Sequence, residues 1–189
     1  MQLALSYPRE VRGLICCYPM LDVEDPFYNT AFSKPIIGVP NCDPKVLDDH
    51  LATMASEGNR LQPTAAEPPD RLKLSFVIVQ QGRYLEFLGS KDSRLFPFRR
   101  LHDQDDADGA GMGSSLPPMF IFHGQQDSAV PCEGTVAFEK QMRSLRPKAR
   151  LKVSLQAGDH GFDAEANLQT PWLKEGLEDV VRAWVGTKT

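Results

Sequence analysis

The chain has 189 residues, of which 41% are hydrophobic and 24% charged, enough apolar material for a sizeable core and too much for a disordered chain. A net charge of -4, with Arg99–Arg100 the only tight basic pair, argues against a nucleic-acid partner, because phosphate binding is built on clustered Lys and Arg. No apolar run approaches the ~18 residues of a membrane span. Met1–Tyr7 has neither the basic nor the long apolar part of a signal peptide, and four Cys do not make a disulfide scaffold. The adjacent Cys16 and Cys17 sit in an apolar run, so buried thiols and a cytoplasmic location are expected.

Gln2–Ser6 reads as the end of a helix stopped before Pro8. Val11–Tyr18 is nearly all apolar after Gly13 and predicts a buried strand. From 23 to 70 the prolines at 26, 35, 40, 44, 63, 68 and 69 forbid long regular elements. Asp43 can cap a helix with Pro44 at its first position, running to about Ser56, with Val46, Leu47, Leu51 and Met54 on its apolar face. Asp70 can cap a second helix to about Leu88, with Leu72, Phe76, Val79 and Phe87 on one face. Phe76–Val79 alone would suit a strand equally well. The stretch 103–115 is acidic, then rich in Gly and Ser, and reads as a solvated loop. It is no EF-hand, since Ala107 stands where the fifth-position carboxylate is needed.

Regularity returns with Met119–Phe122, a short buried strand. Pro131 opens a helix to about Leu145, with Val136, Met142 and Leu145 as core candidates. Arg150–Leu155 alternates apolar and polar and predicts a strand. Thr170, Pro171 and Gly186 delimit a last helix whose stripe is Leu173, Leu177, Val180, Val181 and Trp184. Strands alternating with helices imply an α/β fold with a parallel sheet. Active groups of such sheets lie just past the carboxyl ends of strands. Three corners qualify: after Tyr18, after Phe122 and after Leu155.

Asp127 follows Phe122 by five residues, and His160 follows Leu155 by five. Adjacent parallel strands would bring the two loops together. An Asp accepting the Nδ1 proton of a His fixes the ring tautomer and leaves Nε2 free to take a proton from a nucleophile. The plainer alternative is that Asp127 caps a turn and His160 is a surface loop residue.

His123-Gly-Gln-Gln-Asp-Ser-Ala-Val-Pro131, followed by Gly158-Asp-His-Gly-Phe162, resembles the C-terminal part of an α/β-hydrolase, closest to the hormone-sensitive-lipase-like (fold-3) esterases of fungal type. Tyr18–Asp22 with Asp25–Tyr28 is similar to the segment after the sixth strand of those enzymes, and Gln80–Gly89 to a helical lid segment. The resemblance covers nearly the whole chain. It implies a partial α/β-hydrolase fold, with residues 1–21 and 117–189 as the core and 22–116 as a lid insertion. It implies Asp127 as triad acid and His160 as triad base, and a carboxylic ester or lactone hydrolase acting through a serine, with no cofactor. The aromatic residues Phe27, Tyr28, Phe32, Tyr84 and Phe87 are candidates for a pocket taking a small hydrophobic ester or lactone, or for ordinary core.

The chain departs from that family in one respect. The triad order of the fold is Ser, Asp or Glu, then His, with the Ser in a Gly-x-Ser-x-Gly turn. No such pentapeptide occurs, and no His-Gly-Gly-Gly oxyanion segment. The resemblance puts the missing Ser about ten residues before Met1, so a truncated chain carrying acid, base and lid is expected. Cys17, Ser6 and Ser128 are weak stand-ins, each lacking the strained turn. His50 and His102 read as solvated residues, and His123 as a ring packed near the site. No set of His, Cys and carboxylates has zinc spacing, so no metal is expected. The rival expectation is a non-hydrolytic half-fold that binds a hydrophobic small molecule, or a homo-oligomer paired through its open sheet edge.

Overall fold

The computed structural model describes residues 1–56, 71–89, 91–103 and 116–186. Most of the acidic Gly/Ser stretch and the cap position Asp70 lie outside the described residues. The chain divides into two compact units, Met1–Asp22 with Lys91–Thr189, and Val23–Ser90.

The first unit is built on strands β1 (Leu14–Cys17), β2 (Met119–Gly124) and β3 (Leu151–Gln156). They form a parallel sheet in the order β1-β2-β3. Leu14 pairs with Met119, and Met119 with Leu151. The α/β class, with strands alternating with helices, is therefore met. Every residue of β2 is buried, the mark of a central parallel strand covered on both faces.

The helices of this unit are α1 (Gln2–Ser6), α6 (Pro97–Asp103), α7 (Glu133–Leu145) and α8 (Pro171–Val185), with a 3-10 turn at Ser93–Leu95. Met119 and Ile121 share a core with Leu5, Leu101, Phe138 and Met142. Phe120 and Phe122, pointing the other way, pack with Val180, Leu173, Leu177 and Trp172 of α8. Gly176 makes that second contact feasible: a Cβ there would lie 2.0 Å from Cζ of Phe120. Helix α8 starts at Pro171 and stops at Gly186, whose left-handed backbone (φ 72°) ends it.

Several expectations need correction. Helix α7 begins two residues after Pro131, and its buried stripe is Thr135, Phe138 and Met142, leaving Val136 45% exposed. In α8, Val180 is buried, but Val181 and Trp184 face outward, Trp184 at 68%. Cys17 is exposed and Cys16 half-buried, because β1 alternates sides with only one covered. The stretch from Lys91 groups with the first unit rather than with the expected insertion 22–116, and Phe98 packs on Phe138.

The second unit holds α2 (Pro26–Asn29), α3 (Lys45–Ser56), α4 (Leu72–Gln80) and α5 (Tyr84–Leu88). Asp43 accepts from the Lys45 amide at 2.9 Å, as an N-terminal cap does. Phe76–Val79 is helical. The single helix expected up to Leu88 is two, broken at Gly82. That residue has φ 65°, and a Cβ on it would meet the Thr30 carbonyl carbon at 2.5 Å. Leu72 and Phe87, expected on the buried face, are 46% and 44% exposed. The core of this unit is Val23, Tyr28, Ile36, Leu47, Phe76 and Val77. Gln80 is buried within it, taking the Cys42 amide on Oε1 at 2.9 Å and donating to the Lys34 carbonyl at 3.4 Å.

Candidate functional site

The register sets the site. Gly124 and Gln156 are paired at the carboxyl ends of β2 and β3, and Asp127 and His160 lie three and four residues beyond them. The loops stay in step because the Gln125 amide bonds the Gln156 carbonyl at 2.8 Å and the Gln126 amide the Gly158 carbonyl at 3.0 Å. Such closeness needs glycines: a Cβ on Gly124 would sit 2.5 Å from the Gly158 oxygen.

His160 Nδ1 lies 2.9 Å from Oδ2 and 3.2 Å from Oδ1 of Asp127. An ionised carboxylate can only accept, so Nδ1 carries the proton. The other nitrogen, Nε2, makes no hydrogen bond among the described residues, and the His160 side chain is 25% exposed. The Asp127 side chain is fully buried. Its Oδ1 also accepts the amides of Ala129 at 2.9 Å and Val130 at 2.8 Å. Burial pushes its carboxyl up. The His123 and His160 rings and the two amides outweigh burial and hold it well below the usual carboxylate range. Asp127 thus remains a fixed anion.

His123 is buried at the end of β2. Its Nε2 faces two acceptors, the Val130 carbonyl at 2.9 Å and Asp127 Oδ2 at 3.4 Å, so Nε2 carries the proton and Nδ1 accepts from the Thr135 hydroxyl at 2.8 Å. The ring is a structural donor behind the carboxylate.

On the third corner, Tyr18 follows β1 with a left-handed backbone, φ 36°. Its ring centroid lies 4.1 Å from that of His160, with 55° between the planes. Burial and the nearby Asp163 carboxylate raise the Tyr18 hydroxyl above its ordinary value. Phe122, Phe162 and Trp172 continue the aromatic wall, with Phe162 and Trp172 centroids 5.6 Å apart.

The stand-in nucleophiles do not join this arrangement. The Ser128 hydroxyl bonds Asp159 at 2.9 Å, not His160. The Ser6 hydroxyl accepts from Arg100 at 3.2 Å. Burial, then Asp163 and Cys16, raise the Cys17 thiol, the opposite of activation. His102 is exposed and pairs with Gln141, and His50 is half-buried in α3. Among the described residues no group of three or more His, Cys, Asp and Glu could hold a metal ion, and no helix is long and apolar enough to cross a membrane.

The aromatic candidates of the second unit cluster with one another. Phe27 and Phe32 are 4.9 Å apart, Phe27 and Tyr28 5.2 Å, Tyr28 and Tyr84 5.7 Å. Tyr28 is core, and Phe87 is exposed under the Arg83 guanidinium. The sequence reading missed Tyr18 and Asp159 as neighbours of His160. Asp159 stood beside it in the chain, but nothing in the spacing showed where its carboxylate points.

No protein-family model matches the chain. Two comparisons do place its architecture: the fold is a partial, esterase-like α/β-hydrolase fold. The chain is similar to Probable carboxylesterase M8 of Phoma sp. (strain ATCC 20986 / MF5453), 24% identical over 183 residues, which is 96% of this chain and 54% of that protein. It therefore spans about half the length of the curated relative it matches. A crystal structure of a protein with unknown function from Staphylococcus aureus subsp. aureus Mu50 matches with a TM-score of 0.53 at 17% identity, covering 99% of this chain and 60% of that one.

Proposed function

We propose that this chain supplies the acid and base of a carboxylic ester (or lactone) hydrolase that works through a serine, with Asp127 as acid and His160 as base. The observation that carries the reading is the His160 ring, held through Nδ1 by a buried anion while Nε2 is left without a partner among the described residues. The likeness to a carboxylesterase supports it.

In this reading the nucleophile comes from a segment outside these 189 residues. His160 Nε2 takes the serine hydroxyl proton as the oxygen bonds the acyl carbon. It returns that proton to the leaving alkoxide as the ester C–O bond breaks. Water then attacks the acyl-serine, giving its proton to Nε2, and serine leaves with that proton as the acid is released. Asp127 stays ionised and stabilises the imidazolium at both stages. In this reading the second unit is the family's lid insertion, and its Phe27, Phe32, Tyr84 and Phe87 are candidate contacts to a small hydrophobic substrate.

The rival reading, a non-hydrolytic half-fold that self-associates, has one observation in its favour. Strand β1 pairs only with β2 among the described residues, and its Ile15 is 45% exposed.

The test is a fluorophosphonate label and an ester assay on the endogenous protein, with its intact mass determined, and on the 189-residue chain. The expected result is a labelled serine and turnover in a species longer than this chain, with turnover cut about 10³–10⁴-fold by Asp127→Ala or His160→Ala. The chain alone should neither label nor turn over. Stoichiometric labelling of a serine within these residues, or turnover indifferent to His160→Ala, would overturn the assignment.

A further inference from the structure

The loops after β2 and β3 share more than the Asp127–His160 pair. The Gln126 amide donates to the Gly158 carbonyl at 3.0 Å, and the Gly158 amide donates back to Gln126 Oε1 at 2.7 Å. Asp159 then reaches across in the direction opposite to Asp127. Its Oδ1 accepts the Ser128 amide at 2.6 Å, and its Oδ2 the Ser128 hydroxyl at 2.9 Å. The same Oδ1 takes the His160 amide at 2.7 Å.

The pattern is reciprocal. Residue 127 of one loop holds residue 160 of the other, and residue 159 holds residue 128. Each carboxylate is chain neighbour to the residue that the other one grips. A loop side chain that only capped its own turn would bond residues two or three away, whereas Ser128 and Asp159 are 31 residues apart. The grip is charge-assisted on all three donors. Burial pushes the Asp159 carboxyl up, but the Ser128 and His160 amides and the Ser128 hydroxyl outweigh it and keep it below its ordinary value.

We infer that Asp159 is the positioning residue of the acid–base pair: by gripping Ser128 and the His160 backbone together, it fixes the spacing of the two loops and so the Nδ1–Asp127 hydrogen bond. The inference rests on the acid–base reading above, although its geometry requires no nucleophile. Apart from His160, Asp127 bonds only its own side, Ala129, Val130 and His123, and the Gln125–Gln156 and Gln126–Gly158 bonds tie the loops at their bases, short of the pair itself. Asp159 is the side chain of the base loop that reaches back past Asp127 itself.

The test is NMR on the full 189-residue chain with ¹⁵N-labelled histidine. The His160 Nδ1–H signal is assigned by its loss in His160→Gln, and its exchange with water is compared with that of the Phe120 to Phe122 amides. In Asp159→Ala the Nδ1–H should exchange about tenfold faster, with those strand amides unchanged. Asp159→Asn should keep the parent rate, since its carbonyl oxygen accepts both amides and its NH₂ can meet the Ser128 hydroxyl. Ser128→Ala should accelerate exchange about threefold, and Ser128→Thr should restore it. An Asp159→Ala protein with the parent Nδ1–H rate overturns the inference, as does acceleration of Nδ1–H and strand amides by one common factor. Should Asp159→Ala not fold, a parent rate in Ser128→Ala overturns it instead. Failure of the underlying reading looks different: the parent itself would show no His160 Nδ1–H signal, leaving no pair for Asp159 to position.

Discussion

The two units of the chain solve different problems with different materials. In the first, chemistry-bearing side chains come from loops far apart in sequence and are set by strand register. Asp127, His160, His123 and Asp159 each make directional bonds to groups in the loops that leave β2 and β3. In the second, the aromatic rings lean on each other and under the cationic heads of Lys34 and Arg83, and a buried amide, Gln80, stitches the backbone around them. The difference shows where a mechanism can be sought. Directional polar contacts define a reacting geometry, whereas a ring cluster held by short helices defines only an apolar surface.

Substitutions in the two units can break or sharpen that contrast. The largest effect is expected from Gly176→Val, because even the first added carbon would fall within 2.0 Å of the Phe120 ring. Overpacking of this kind costs up to about 3 kcal/mol. A urea unfolding curve should lose that much, and an unchanged midpoint would mean that α8 can move off the sheet.

Next comes Asp127→Asn, expected to cost about 2 kcal/mol at pH 7. The sign follows from the lowered carboxyl. A depressed acid contributes fully above its unfolded value of about 3.9 and loses its contribution as pH falls below that. The gap between parent and variant melting points should therefore shrink from pH 7 to pH 3. A gap that is constant or widens on acidification would contradict the network described for this carboxylate.

In the second unit, Gln80→Leu strands the Cys42 amide and should cost about 1–2 kcal/mol. Hydrogen exchange should accelerate at Phe32, Cys42 and along α4. Unaltered protection there would remove Gln80 as the stitch. The smallest effect is expected from Trp184→Gln, within about 0.5 kcal/mol by the same urea measurement, since the ring is 68% exposed.

Much of the first unit was legible because its signals are short-range and strong. The apolar run Met119–Phe122, bounded by Pro118 and Gly124, reads as a buried strand, and Pro171 with Gly186 brackets a helix by backbone chemistry alone. Pairing of Asp127 with His160 followed from near-equal offsets after two strands, three and four residues past the paired Gly124 and Gln156, since adjacent parallel strands convert such offsets into proximity. Rotation about a helix axis was harder. Val136 and Phe138 are both apolar and two residues apart, and only the position of the sheet decides that Phe138 goes inward. The break at Gly82 depends on how closely the Thr30 backbone approaches, a contact between segments that no local pattern encodes. Tyr18 and Asp159 escaped as neighbours of His160 because their roles lie in where a ring or an oxygen points, which residue spacing does not carry.

Tyr18 carries a consequence of its own. A bulky residue in the left-handed region costs about 1–3 kcal/mol, and a glycine would occupy the same backbone freely. Selection for stability alone would drift this position toward glycine. A glycine here would relax the end of β1 and leave one face of the His160 imidazole bare, free to turn about its Asp127 bond. An aromatic ring on such a backbone gives up conformational ease to confine a histidine, so stability and the proposed catalysis make opposite demands on position 18.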